Sequence, residues 1–152
     1  MAFRKIYPPH PDQKMPWTRL GDYEMTNEWC CQRKFNGTHI TVHISEDRKV
    51  NLLTRHATPP KLFTLTKDHV KDLTTGLNLE RGKEYLLNAE LLDHKTTTPQ
   101  YKGKIVIFDI LSAGKYLFRT HHQMTRLKLL EEICGNPTKL EPHAGIALQV
   151  TE

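Results

Sequence analysis

The chain has 152 residues, 38% of them hydrophobic and 26% charged, a balance that fits a folded globular domain and excludes a disordered tail. Lys plus Arg number 22 against 17 Asp plus Glu, so the formal charge is +5, a mild basic bias that suits an anionic partner such as a nucleotide or nucleic acid. No apolar run approaches the roughly 20 residues of a membrane helix, and no membrane partner is expected.

The opening Met1-Ala2-Phe3-Arg4-Lys5 is not followed by the apolar segment of a secretory signal. Cys30, Cys31 and Cys134 are a poor disulfide framework, which points to a reducing cytoplasmic setting. Neither the cysteines nor the scattered histidines have zinc-finger spacing, and no metal site is assigned to them.

Residues 1–27 hold Pro8, Pro9, Pro11 and Pro16, which favour an extended arm packed on the domain surface, with Trp17, Leu20 and Tyr23 to pin it. Residues 28–152 form the domain proper. Residues 28–35 alternate loosely, Asn36-Gly37 makes a turn, and residues 38–45 put Ile40, Val42 and Ile44 on one face. Residues 50–55 read as a third strand, so the three form an antiparallel meander. Residues 66–75 predict a helix closed by Gly76.

Residues 85–93 and 104–111 are apolar strands, the second apolar on both faces as expected of a buried central strand. Residues 95–100 between them are a loop. Thr120-His121-His122-Gln123 fits a capping box, followed by Met124, Leu127, Leu130 and Ile133 at helical spacing and a stop at Gly135. Residues 144–150 are a last strand. The fold class is α+β, a mainly antiparallel sheet with packed helices.

Four places carry candidate chemistry. Lys34 ends a strand just before the tight turn and shares a strand face with Gln32 and Cys30; an amine so placed becomes a nucleophile if desolvation or nearby positive charge deprotonates it. Glu90 lies among leucines, where a carboxylate is expensive unless paired or used. Phe108 and Asp109 interrupt an aliphatic strand, and Phe108 is either core or a wall on which a base stacks. Arg55 ends the third strand, where it meets solvent, a phosphate or a ribose.

Lys34-Phe35-Asn36-Gly37-Thr38-His39 resembles the nucleophile motif of the covalent nucleotidyltransferase superfamily, which comprises ATP-dependent DNA ligases, RNA ligases and mRNA capping enzymes. Thr54-Arg55-His56, Leu87-Asn88-Ala89-Glu90-Leu91 and Val106-Ile107-Phe108-Asp109-Ile110-Leu111 are similar to the next three motifs, in the same order. The resemblance implies an ATP-grasp-like ligase core and a polynucleotide ligase. Lys34 would attack the α-phosphorus of ATP, pyrophosphate would leave, and the lysyl-AMP would pass its AMP to a 5′-phosphate end of DNA or RNA. A 3′-hydroxyl would then displace the AMP and seal the strand.

By the same resemblance Gln32 would read the adenine edge, Glu90 would hold the ribose and Phe108 would stack on the purine. Arg55 would sit on the ribose or phosphate side, and Asn36, Gly37 and His39 would complete the nucleotide-binding turn. Phosphoryl transfer of this kind implies Mg²⁺. DNA ligases and capping enzymes usually carry Asp where this chain has Asn36 and Arg where it has His39, a departure more like some RNA ligases that leaves DNA or RNA open; with Gln32 it makes a capping-type guanylyltransferase the less favoured member.

Two later family motifs, a Glu-Gly pair and a Lys-x-Lys, are not found before Glu152. The resemblance therefore implies a C-terminally incomplete domain that lacks a C-terminal half or a second subunit. Weak or absent adenylylation by this chain alone is expected, and a nucleotide- or nucleic-acid-binding module without the chemistry is the alternative.

Overall fold

The computed structural model describes residues 16–26, 35–93, 99–135 and 146–148. Its centre is a five-stranded sheet made of β1 (Thr38–Ile44), β2 (Val50–Thr54), β3 (Tyr85–Leu91), β4 (Ile105–Ala113) and β5 (Ile146–Leu148), in the order β2-β1-β3-β4-β5. The first four pair antiparallel; β5 runs parallel to β4. Helices α1 (Leu20–Glu24), α2 (Lys67–Thr75) and α3 (Gln123–Cys134) complete the α+β class.

Alternation decides which side chains go inside. Ile40, Val42 and Ile44 of β1 join Leu87, Ala89 and Leu91 of β3, and Ile105, Ile107 and Ile110 of β4, in one core. Leu73 of α2 and Leu130 and Ile133 of α3 close that core. Thr41, Leu86, Asn88, Val106 and Leu111 are buried as well, so β3 and β4 are covered on both faces, as their continuous apolar runs require. The expected strands at 38–45, 50–55, 85–93 and 104–111 thus form within a residue or two of their sequence limits.

The expected three-strand meander does not form, because both edges of β1 are occupied, by β2 and by β3. Residues 28–34 of the expected first strand and residues 95–98 of the expected loop lie outside the described residues. The described part of the proline-rich arm is helical rather than extended: a 3-10 turn at Trp17–Arg19 runs into α1, and Trp17 is 81% exposed instead of pinning anything.

Helix α2 is defined by its ends. The Thr66 hydroxyl accepts from the His69 amide, and the His69 ring Nδ1 accepts from the Thr66 amide, a capping box with His in the place Glu or Gln usually takes. The other ring nitrogen of His69 reaches the Gly103 carbonyl at 3.0 Å, so the cap also ties α2 to the chain entering β4.

The expected capping box at α3 is absent. His122 is the N-cap without a side-chain bond, and the Thr120 hydroxyl is spent on the Tyr116 carbonyl in the preceding turn. The buried stripe of α3 also begins two residues later than expected: Met124 is 46% exposed, and Arg126, Leu127, Leu130 and Ile133 face inward. The helix stops at Gly135, whose φ of 71° suits glycine.

The β1–β2 turn is held by Asp47, which accepts from the Ser45 hydroxyl and pairs with Lys49 at 2.7 Å. The Lys49 and Ser45 bonds lower its carboxyl to about 2 from an ordinary 3.8. A depressed carboxyl contributes to the turn above its unfolded value and loses that contribution as pH falls through the folded one. An NMR titration is expected to place the Asp47 midpoint near 2, with the Lys49 amide shifting in step. Thr66→Ala is expected to cost about 1 kcal/mol in denaturant unfolding, with exchange protection lost first in the opening turn of α2.

Candidate functional site

Gly37 leads directly into β1, and it does so against β3. A Cβ on Gly37 would lie 2.2 Å from the Leu91 carbonyl oxygen, so only glycine lets the turn approach this closely. The Gly37 amide then donates to Glu90 Oε1 at 2.8 Å across 53 residues of chain. One residue on, the Thr38 hydroxyl donates to Asp93 just past the end of β3. These two bonds stitch the turn to β3 at the level of Glu90.

The register brings the other residues in. His39 of β1 lies opposite Glu90 of β3, and Glu90 lies opposite Val106 of β4. Phe108 sits at an irregularity in β4: Ala89 faces Ile107 and Asn88 faces Asp109, leaving Phe108 as the extra residue of a bulge. Its ring meets the His39 imidazole with centroids 6.1 Å apart and planes tilted by 48°. Gly37, His39, Glu90 and Phe108, far apart in sequence, therefore gather at one end of the sheet. Phe35 sets its ring edge-on to Tyr101 at 6.4 Å beside them.

Asn36 is exposed at the turn. Arg55 follows β2 and is exposed; its Nε donates to the neighbouring His56 ring at 3.0 Å. The register of Ile40 with Thr54 puts Arg55 at the level of His39, two strands from Glu90. Lys34 and Gln32, with Cys30 and Cys31, lie outside the described residues.

The sequence singles out Asn88 and Asp109 but does not show the surroundings of either. Asn88, on the same strand face as Glu90, is buried, and its side-chain oxygen has no hydrogen-bond partner among the described residues. Asp109, next to Phe108, forms a buried pair with Arg126 of α3 at 2.9 Å. An asparagine between Leu87 and Ala89 in an apolar run was the only signal for the first. The second needed the helix to be docked before its arginine had any address. Cys134 is half-buried in α3, and desolvation there pushes its thiol up to about 12, which favours the neutral thiol.

The arrangement supplies a carboxylate, an imidazole, an aromatic ring and a closely docked backbone bend at one sheet end. Among the described residues no three His, Cys, Asp or Glu converge as metal ligands, and no helix is long and apolar enough to cross a membrane. No protein-family model matches the sequence, and no curated protein matches it either.

Gly37→Ala is expected to push β1 away from β3 at this end and to cost about 1–3 kcal/mol, as overpacking does. Denaturant unfolding reads the loss. The accompanying sign is loss of the downfield shift and exchange protection of the residue-37 amide. An alanine variant as stable as the parent would show that the close approach to Leu91 is not required.

Proposed function

We propose that this sheet end is the nucleotide site of a ligase-type covalent nucleotidyltransferase core, with Lys34 as the residue that takes up AMP from ATP. The observation that supports it is the bond from the Gly37 amide to Glu90. It couples the segment that follows Lys34 to an acidic residue whose partner across the β1–β3 ladder is His39, and the His39 ring in turn lies beside that of Phe108. Three of the motif segments read along the sequence thus contribute to one place.

The roles follow from chemistry. Lys34 Nζ would attack the α-phosphorus as pyrophosphate leaves, giving the lysyl-AMP phosphoramidate and releasing a proton. The Gly37 amide donates to Glu90 Oε1 and orients the carboxylate, an acceptor of the kind that suits a ribose hydroxyl. Phe108 presents a π-face for the purine, and Gln32 supplies the donor and acceptor pair that matches the adenine edge. Arg55 would meet the ribose or phosphate side from across β1, as a guanidinium suits an anion. Asn88 carries a buried acceptor without a partner among the described residues on the Glu90 face, a stored cost that a ligand group or an ordered water relieves.

Mg²⁺ would arrive as an ion carried on the phosphates; among the described residues no three His, Cys, Asp or Glu are grouped to hold one. Bound with the nucleotide, it would neutralise phosphate charge. The acceptor of AMP in this reading is a 5′-phosphorylated DNA or RNA end, consistent with the net charge of +5, in a reducing cytoplasm.

The test is incubation with α-phosphate-labelled ATP and Mg²⁺, followed by denaturation. At high protein concentration a faint acid-labile label is expected on the chain and is expected to vanish in Lys34→Ala. ATP binding without label would leave a nucleotide-binding module without the chemistry. Label from GTP alone would favour capping, and neither label nor nucleotide binding would overturn the proposal.

A further inference from the structure

Strand β4 sends Ile107 and Ile110 into the core, three residues apart where regular alternation would give two. The bulge at Phe108 makes up the difference. A bulged residue has no partner opposite it in the ladder, so its direction depends on what grips its neighbours. The neighbour here is Asp109, and Asp109 is gripped firmly. Its Oδ1 accepts from the Ile110 amide at 2.8 Å and from Arg126 Nε at 2.9 Å, while its Oδ2 accepts from Arg126 Nη2 at 3.0 Å.

Arg126 is itself held from all sides. Its Nη1 donates to the His121 carbonyl at 2.9 Å, its Nη2 also donates to the Gln123 side chain, and its guanidinium lies 5.0 Å over the Phe118 ring. The Arg126 and Asp109 side chains are only 5% and 7% exposed. A pair so deeply desolvated adds little net stability over an apolar pair of the same volume. What it supplies is a fixed distance and angle between α3 and the bulge. A lysine, a point charge without the planar fork, cannot reproduce that geometry.

We infer that Arg126 is a positioning residue for the nucleotide site: by clamping Asp109 it sets the β4 bulge, and the bulge sets the plane of the Phe108 ring against which a purine stacks. The inference rests on the nucleotide reading above for its ligand, but the clamp itself is measurable without one.

The first arm of the test reads the His39 ring-proton shifts by NMR, which sense the Phe108 ring at 6.1 Å. Phe108→Leu gives the value without the ring. Arg126→Lys is expected to move the His39 signals toward that value while the β1 and β3 amide signals stay in place. The second arm reads affinity for ATP and for inorganic tripolyphosphate, which has no base to stack. Phe108→Leu is expected to weaken ATP about tenfold, the order of one lost stacking contact. Arg126→Lys should weaken it by a similar factor, the double variant no further, and tripolyphosphate binding should not change.

Because one unpaired buried charge can unfold a domain, Asp109→Leu/Arg126→Leu is made in parallel; it removes both charges and is expected to fold with displaced His39 signals. Unchanged His39 signals in the folded variants would overturn the inference. So would unfolding of both variants, since the pair would then be holding the fold and not the ring. A parent protein that binds no ATP but shows the expected His39 response would sink the nucleotide reading and leave the clamp standing.

Discussion

One bond organises this end of the molecule: the Gly37 amide on the Glu90 carboxylate at 2.8 Å. It forms only because position 37 has no side chain, so that the turn can rest on the Leu91 carbonyl. Once it forms, the beginning of β1 is held to the end of β3, and the antiparallel register sets His39 opposite Glu90. A partly buried carboxylate accepting a backbone amide satisfies two groups that would otherwise be costly to desolvate. The same bond therefore shapes the turn and orients the acid.

Strand β3 carries most of the fold because it sits between β1 and β4 with both faces buried. Its core face is purely apolar: Tyr85, Leu87, Ala89 and Leu91. Its other face alternates Leu86, Asn88 and Glu90, so polarity rises toward the end where the turn docks. A sheet covered on both sides can keep polar groups only where they are bonded or used. Glu90 meets that condition through Gly37. Asn88, with its oxygen unpaired among the described residues, is the exception, and it lies next to the site.

Helix α3 contributes at a distance. Leu130 and Ile133 pack into the core and set the helix against the sheet, which brings Arg126 onto Asp109. Packing, a buried ion pair and a strand irregularity thus run in series from the helix to the Phe108 ring. Each link is bonded or close-packed: a bidentate guanidinium–carboxylate pair, a backbone amide on the same carboxylate, and one residue out of step with its ladder.

Local signals were enough for the elements themselves. Period-two alternation located β1 and β2, apolar runs located β3 and β4, and Thr66 with Gly76 bracketed α2, because each depends on neighbours within a few residues. The segments that gather at the site were also legible, as motifs around Gly37, Glu90 and Phe108. Pairing partners were not legible: the meander failed because β1 found β3, 41 or more residues along the chain in every pair, as its second neighbour. The inward turn of Arg126 and the exposure of Met124 were hidden for the same reason. Arg126 turns to Asp109, which lies 17 residues before it and meets it only after the helix has docked on the sheet. Short-range pattern decides which residues can be strand or helix; long-range burial and charge pairing decide which of them touch.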